Sequence, residues 1–277
     1  MASAERGHAS DGQTRLIEHF QTHDIEDHAA GWSKLWDTNN SDLWDRGKPS
    51  PALIDLVEQR QDLFCPETAD GKKKKACVPG CGRGYDVVML ALHGFDVYGL
   101  DVSARGVTLA REYAEAELAR PQTYNFGSGR ALTEKKGQTK GRGKVTFIEG
   151  DFFQSGWEVG IKFDLIYDYT FLCALHPSMR PSWASRMADL LSPNGTLVCL
   201  EFPLYKDPKL PGPPWGLNGV YWDLLVQGGT GIVAENDENE REGKAEGQFH
   251  RLLHIKPARS YENGRGTDMV GVYVKKH

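Results

Sequence analysis

Apolar positions in the first part of the chain recur at helical spacing. Leu53, Leu56 and Val57 form an apolar stripe, and the preceding Pro49–Pro51 segment supplies a typical helix start. We therefore predict two helical stretches between Arg15 and Gln59. They lie on either side of an aromatic-rich segment that contains three tryptophans, Trp32, Trp36 and Trp44.

Further along the chain, short apolar runs of strand length alternate with stretches of helix length. Strands are predicted at Ala76–Pro79, Phe95–Leu100, Val145–Ile148, Phe163–Tyr167 and Thr196–Phe202. Helices are predicted at Tyr85–His93, from Ser103 to about Arg120, and at Arg180–Leu191. A closing antiparallel hairpin is predicted at Phe249–Ile255 and Met269–Val274. This order is typical of an α/β protein with a doubly wound, Rossmann-like, mainly parallel seven-stranded sheet, a C-terminal antiparallel hairpin and an N-terminal helical cover.

Polar stretches mark the expected boundaries. Residues 1–14 are predicted to be a disordered tail, and residues 15–277 a single domain whose first part, 15–60, forms the N-terminal cover. Segments near 122–144 and 235–247 are rich in glycine and charged residues and poor in apolar ones, which is typical of flexible insertions.

The composition excludes several classes of function. A net charge of −5 and a pI near 6.0 argue against a nucleic-acid partner. No apolar run reaches the roughly 20 residues of a membrane span, and the first residues lack the apolar stretch of a secretory signal. The five cysteines are odd in number and lack metal-ligand spacing, so we expect reduced thiols in a cytoplasmic protein and no metal site.

The strongest local signal is the glycine-rich sequence from Val78 to Gly84, which follows a predicted strand and precedes a predicted helix. Its glycines let the backbone turn sharply and approach a ligand closely. Asp101 ends the next strand, about 20 residues further on, where a carboxylate can accept hydrogen bonds from ribose hydroxyls. This combination predicts an adenosine-type cofactor in contact with Gly80, Gly82 and Asp101.

The spacing of these glycines helps to distinguish a dinucleotide from S-adenosylmethionine as the cofactor. A dinucleotide fingerprint has the pattern G-x-G-x-x-G, with the pyrophosphate at a helix N-terminus. Here the spacing is Gly80-x-Gly82-x-Gly84, and Asp86 puts an acidic side chain where a phosphate would lie. S-adenosylmethionine has no phosphate and carries a cationic sulfonium, so an acidic and aromatic surrounding suits it better. Its demethylated product would be S-adenosylhomocysteine.

Two further strand ends carry candidate residues. After the third strand, Asp151 can accept a hydrogen bond from the adenine amino group while Phe152 covers the ring. The alternative is that these residues only form an ordinary turn at the end of the strand. The fourth strand ends in Asp168 and Tyr169, near the expected position of the transferring methyl group. An aromatic ring there would attract the sulfonium by about 0.5–2 kcal/mol. The alternative is that Tyr167 and Tyr169 mark the alternate faces of a half-buried strand.

Five motifs occur in order at compatible spacing over about residues 30–215. They are Trp32-x-x-x-Trp36, Trp44-Asp45-x-Gly47, Val78-Pro79-Gly80-Cys81-Gly82, Phe163–Tyr169 and Met179-Arg180-Pro181-x-Trp183-Ala184. Together they resemble the thiopurine S-methyltransferase-like family, and most closely its thiol, thiocyanate and halide methyltransferases of plants and fungi. The resemblance implies cofactor contacts at Trp32, Trp36, Trp44, Gly80, Asp101, Asp151, Phe152 and Tyr169. The residues alone favour core packing for the tryptophans; the resemblance favours contact with the cofactor.

The resemblance also implies a reaction, the S-adenosylmethionine-dependent methylation of a small thiol, or of thiocyanate or halide. These acceptors are anionic or nearly so, which makes a general base optional. Asp168 is the candidate base, and Tyr169 is expected to position the methyl group; His176 and His254 are weaker candidates. We expect a monomer that meets its small-molecule acceptor without a nucleic-acid or membrane partner.

Two other functions stay open. One is an O- or N-methyltransferase that acts on a small secondary metabolite, and the other is a protein that binds S-adenosylmethionine without turnover. The segment Tyr205–Trp222 matches the family pattern only in part. Because this segment would line the acceptor site, the identity of the acceptor stays open as well.

Overall fold

The computed structural model describes residues 11–127, 141–232 and 246–276. Its centre is a seven-stranded sheet in the order β3-β2-β1-β4-β5-β7-β6. The strands are β1 (Lys75–Pro79), β2 (Asp96–Asp101), β3 (Val145–Glu149), β4 (Phe163–Asp168), β5 (Leu191–Glu201), β6 (Phe249–Ile255) and β7 (Met269–Lys275). The predicted α/β fold is confirmed.

The pairing of the strands explains where a ligand can bind. Strands β1 to β5 run parallel, with β1 between β2 and β4, whereas β7 pairs antiparallel with both β5 and β6. The chain therefore leaves β1 toward one side of the sheet and returns through β4 on the other. The carboxyl ends of β1, β2 and β4 border this switch point, where ligands of such folds bind.

Eight α-helices surround the sheet in the described part of the chain. They are α1 (Asp11–Gln21), α2 (His28–Asp37), α3 (Pro51–Gln59), α4 (Gln61–Phe64), α5 (Tyr85–Leu92), α6 (Ala104–Ala119), α7 (Arg180–Leu190) and α8 (Val220–Trp222). Ser50 and Ser103 cap α3 and α6 by accepting hydrogen bonds from the Leu53 and Gly106 amides. No described helix is both long enough and apolar enough to cross a membrane.

Three details differ from the sequence-based expectations. Helix α1 begins at Asp11, so residues 11–14 of the predicted tail are helical, while residues 1–10 lie outside the described residues. Trp32 and Trp36 lie within helix α2 rather than between two helices. Strand β5 begins at Leu191, and residues 192–195 interrupt its register with β4. Most of the two expected insertions, residues 128–140 and 233–245, also lies outside the described residues.

The hydrophobic core fills both faces of the sheet. Helix α5 is buried from Val87 to Ala91, because it packs against the central strands and has no polar face to expose. On the other side, Trp183 of α7 is fully buried. Leu16, Phe20 and Leu35 form a separate small cluster that joins α1 to α2. The N-terminal cover thus has a core of its own.

Candidate active site

A cavity of about 250 Å³ lies at the carboxyl ends of the parallel strands. Its walls include Gly80 after β1, Asp101 at the end of β2, Asp151 after β3 and Tyr169 after β4. Helix α2 and the loop that follows it cover the opening from the N-terminal side. All the predicted cofactor residues line this one cavity: Trp32, Trp36, Trp44, Gly80, Gly82, Asp101, Asp151, Phe152 and Tyr169.

The glycine-rich loop forms one wall with its backbone. Gly80 and Gly82 have φ angles of 60° and 52°, a left-handed conformation that side chains with a Cβ rarely adopt. A Cβ at Gly80 would collide with the ring of Phe171, and one at Gly82 would lie 3.3 Å from Cζ2 of Trp36. Aromatic rings therefore pack directly on the loop, which requires glycine at these two positions.

Asp101 organises this loop from the neighbouring strand. Its Oδ2 accepts the Gly82 amide at 2.8 Å, and its Oδ1 accepts the Ser103 amide at 3.0 Å. Burial raises the pKa of the carboxyl, while the backbone hydrogen bonds lower it. Because a carboxylate offers about four acceptor positions, these two bonds leave others for ribose hydroxyls.

The tryptophans of the cover pack on one another as well as on the cavity. Trp44 lies edge-on to both Trp32 and Trp36, with ring centres 5.2 and 5.4 Å apart. Beside them Arg83 forms an ion pair with Asp45 at 2.6 Å. Core packing and cavity lining are thus compatible for these residues.

The end of β3 contributes an acid and a ring. The Asp151 Oδ1 accepts the Phe153 amide at 2.9 Å, and this bond fixes the turn after the strand. Phe152 is buried and lies edge-on to Phe171, with ring centres 5.1 Å apart. Phe171 in turn covers Gly80, so these rings form a continuous apolar wall.

Tyr169 forms the wall at the end of β4. Its ring stacks on that of Tyr261 at 5.0 Å, and its hydroxyl oxygen accepts a hydrogen bond from Nε of Arg46 at 3.3 Å. Burial raises its pKa, and the Arg46 charge acts in the opposite direction. The next residue, Thr170, has a φ of 59°, so the chain turns sharply after Tyr169.

The structure does not bring Asp168 into the cavity, which corrects its expected place there. The side chain is fully buried on the other face of β4. Its Oδ2 accepts Nε1 of Trp183 at 2.9 Å, and its Oδ1 accepts the Leu172 amide at 3.3 Å. Burial raises its pKa to about 6. The carboxyl is therefore held by structural hydrogen bonds and does not line the cavity.

Neither of the two candidate histidines is among the residues that line the cavity. The ring of His176 accepts the Ser178 amide through Nδ1 and lies edge-on to Trp215. His254, on β6, contacts Glu201 at 3.1 Å between Nε2 and Oε2.

Several cavity residues were not assigned a role from the sequence, among them His28, Phe171 and Arg46. His28 is one turn before Trp32 on α2, and its Nε2 is 2.8 Å from the Ala174 carbonyl oxygen; burial lowers its pKa. Phe171 and Arg46 complete the walls. The helical spacing of His28 and Trp32 was a usable signal, because residues four apart share a helix face.

Asp86 also lines the cavity, near the N-terminus of α5. Its Oδ1 accepts the Ser50 amide at 2.8 Å, which ties the start of α3 to the glycine-rich loop. Burial raises its pKa to about 7. An acidic group therefore lies where a dinucleotide would need to place a phosphate, although its charge is only partial near neutral pH.

Comparison with known proteins agrees with this geometry. The family model of thiopurine S-methyltransferase matches residues 27–247. The chain is 35% identical over 224 residues to the "Probable thiol methyltransferase 2" of Arabidopsis thaliana, covering 80% of this chain and 83% of the relative. It is 34% identical over 205 residues to thiocyanate methyltransferase 1 of Brassica oleracea, covering 74% and 75% of the two chains.

A solved structure supports the fold. Magnesium protoporphyrin IX methyltransferase of Synechocystis PCC 6803, with bound S-adenosylhomocysteine, superposes with a TM-score of 0.52. The match covers 90% of this chain and all of the other, at 17% sequence identity. This likeness concerns the fold alone, whereas the family match extends over most of the sequence. The chain belongs to the thiopurine S-methyltransferase family and is an S-adenosylmethionine-dependent methyltransferase.

Proposed function

We propose that the protein transfers the methyl group of S-adenosylmethionine to the sulfur of a small thiol, or to thiocyanate or a halide. The observation that carries this proposal is that every predicted cofactor residue lines one and the same cavity, with Arg46 beside Tyr169 at the end of β4. The names of the relatives, thiol and thiocyanate methyltransferases, support the same acceptor class.

The cavity residues fit the parts of the cofactor. Asp101 is the proposed acceptor for the ribose hydroxyls, because its carboxylate retains free acceptor positions beside the glycine-rich loop. Asp151 and Phe152, at the next strand end, are proposed to hold and cover the adenine. The N-terminal cover is proposed to close the cavity over the cofactor with Trp32, Trp36 and Trp44. Among the described residues, the cavity wall contains no cluster of free cations of the kind that a pyrophosphate needs, since Arg83 is paired with Asp45.

The bound cofactor supplies an electrophilic methyl group on a cationic sulfur. The protein's own contribution is alignment and exclusion of water. The stacked rings of Tyr169 and Tyr261 give a rigid wall against which the acceptor can be held, and the aromatic cover removes solvent from it. Because Asp168 lies outside the cavity, an acceptor that ionises readily fits better than an alcohol.

A methylation screen tests this proposal. The purified protein is incubated with S-adenosylmethionine and a panel of thiols, thiocyanate, iodide, phenols and amines, and S-adenosylhomocysteine is measured. We expect turnover with thiols and thiocyanate. Faster turnover with phenols or amines would favour the O- or N-methyltransferase alternative. Binding of S-adenosylhomocysteine without turnover of any acceptor would favour the non-catalytic alternative.

We also propose that residues 15–277 act as a single domain, as a monomer in the cytoplasm. One continuous core connects β1 to β7, which supports a single domain. All five cysteines are free thiols, which supports a reducing compartment. Light scattering coupled to size-exclusion chromatography would test the monomer, and localisation of a tagged chain would test the compartment.

A further inference from the structure

Arg46 supplies a positive charge to the wall of the cavity near β4. It follows Trp44 in the loop after the 3₁₀ turn Ser41–Leu43. Its Nε donates to the Tyr169 hydroxyl at 3.3 Å, and its guanidinium carbon lies 5.8 Å from the ring centre of Phe202. These contacts, one after β4 and one after β5, hold the planar guanidinium in one orientation.

This charge is not neutralised by an ion pair. Within residues 11–127, 141–232 and 246–276, Arg46 has no carboxylate within ion-pair distance, whereas Arg83 is paired with Asp45 at 2.6 Å. Asp268 is close enough for Arg46 to lower its pKa, but burial raises that pKa more, and its carboxyl is bonded to Ser260. The terminal nitrogens of Arg46 are thus available to a ligand.

The neighbouring hydroxyl provides a second donor. Because the Tyr169 oxygen accepts the Arg46 hydrogen bond, its own proton is free to be donated elsewhere. Both residues line the cavity. A guanidinium and a hydroxyl side by side are suited to an anion, since charge-assisted hydrogen bonds are the stronger kind.

We propose that Arg46 and Tyr169 form the subsite that binds the anionic sulfur acceptor, a thiolate or thiocyanate. This inference rests on the proposed S-methyl transfer. A thiol loses its proton to water as it binds, because the adjacent cation favours the thiolate. The sulfur electron pair then forms the new S–C bond, and the pair of the breaking C–S bond stays on the former sulfonium sulfur. The methylated product is neutral and no longer attracted to Arg46.

Equilibrium binding tests the subsite without turnover. The protein is saturated with S-adenosylhomocysteine and titrated with potassium thiocyanate in a calorimeter. We expect Arg46→Gln to weaken thiocyanate binding about 10-fold or more, and Arg46→Lys to restore part of it. S-adenosylhomocysteine affinity should change less than about twofold. Arg60→Gln, at an exposed ion pair with Asp62, is the matched control and should bind like the wild type.

Kinetics give the second measurement. With a saturating thiol acceptor, the acidic limb of the kcat profile should move to higher pH in Arg46→Gln, because kcat reports the ionisation of the bound thiol and the bound thiolate has lost its cation. With thiocyanate, the KM should rise without such a shift. Unchanged thiocyanate affinity together with an unmoved limb would overturn the proposal.

A wild-type comparison decides the matter if Arg46→Gln does not fold. The wild type should bind thiocyanate at least about 10-fold more tightly than neutral methyl thiocyanate. Equal affinities would overturn the subsite. Absence of any thiol or thiocyanate methylation by the wild type would instead refute the proposed function, so the two failures are distinguishable.

Discussion

Asp101 and Gly82 are joined by a hydrogen bond of 2.8 Å from the glycine amide to Oδ2 of the carboxylate. The bond connects the end of β2 to the glycine-rich loop after β1. The second oxygen accepts the amide of Ser103, which caps α6. One buried side chain therefore fixes two segments of the cofactor site and also faces the cavity.

The first prediction concerns Asp101→Ala. The substitution removes the acceptor of the buried Ser103 amide, of the partly buried Gly82 amide and of the proposed ribose hydroxyls. Each hydrogen bond to a charged group contributes about 1.5–3 kcal/mol. We expect affinity for S-adenosylhomocysteine to fall at least about 10-fold, with a lower free energy of unfolding. Calorimetry and urea unfolding measure the two effects.

Asp101→Asn and Asp96→Ala complete that experiment. Asn retains one oxygen acceptor, so its loss of affinity should be intermediate. Asp96 lies at the opposite end of the same strand and accepts the Lys144 amide, so its replacement should leave cofactor affinity unchanged. Wild-type affinity in Asp101→Ala would contradict the ribose assignment.

The second prediction concerns the tryptophan cover. Trp36→Ala removes the ring that packs on Gly82 and on Trp44. S-adenosylhomocysteine affinity should fall at least about 10-fold, while the far-ultraviolet circular dichroism of the sheet is retained. Saturating S-adenosylhomocysteine should also protect the cover of the wild type from protease. Trp222→Ala, at an exposed tryptophan, is the control; equal affinities in both variants would mean that the cover only packs the core.

The third prediction is a pH dependence of stability. The pKa of Asp86 is raised to about 7 from an unfolded value of 3.8, because the folded state buries it. The contribution of this carboxyl to the free energy of unfolding is complete below pH 4. It is lost as the pH rises toward 7, because ionisation then stabilises the unfolded chain while the folded chain keeps the carboxyl neutral. Asp86→Asn avoids this loss. Its free energy of unfolding, relative to the wild type, should rise by about 2–4 kcal/mol between pH 4 and pH 8.

Urea unfolding of both proteins at several pH values measures that difference. Asn can still accept the Ser50 amide, so the hydrogen bond of Asp86 is largely preserved. Asp37→Asn, at an exposed position on α2, should show no comparable trend. A constant difference between Asp86→Asn and the wild type across this range would contradict the burial argument.

The fourth prediction separates Asp168 from catalysis. An amide can accept only one of the two donors, Nε1 of Trp183 and the Leu172 amide, so Asp168→Asn should lower the free energy of unfolding by about 1–3 kcal/mol at pH 4, where ionisation of the unfolded chain costs the wild type little. It should slow a high-pKa thiol and thiocyanate by the same factor and leave the pH–rate profile unmoved. Selective slowing of the thiol would restore Asp168 as a base.

The sequence by itself determined the fold and a set of candidate cofactor residues that share one cavity. Strand and helix periods are local properties, so the β/α alternation placed every strand except β5 within about one residue of its observed bounds, whereas β5 begins at Leu191 instead of Thr196. The glycine spacing and Asp101 also belong to one βα unit and its neighbouring strand. Their relation is therefore set by short-range chain geometry. The tryptophans required the family resemblance, because a core and a cavity wall use the same aromatic residues.

Tertiary structure decided which side chains face the acceptor. Alternate residues of a strand point to opposite faces, so Tyr167 and Tyr169 line the cavity while Asp168 points away from it. The direction depends on what each face packs against, and here Trp183 of α7 occupies the face of Asp168. Arg46 and Tyr261 reach Tyr169 from loops far away in the chain. No local pattern predicts such contacts, because they exist only once the N-terminal cover and the C-terminal hairpin have packed against the same edge of the sheet.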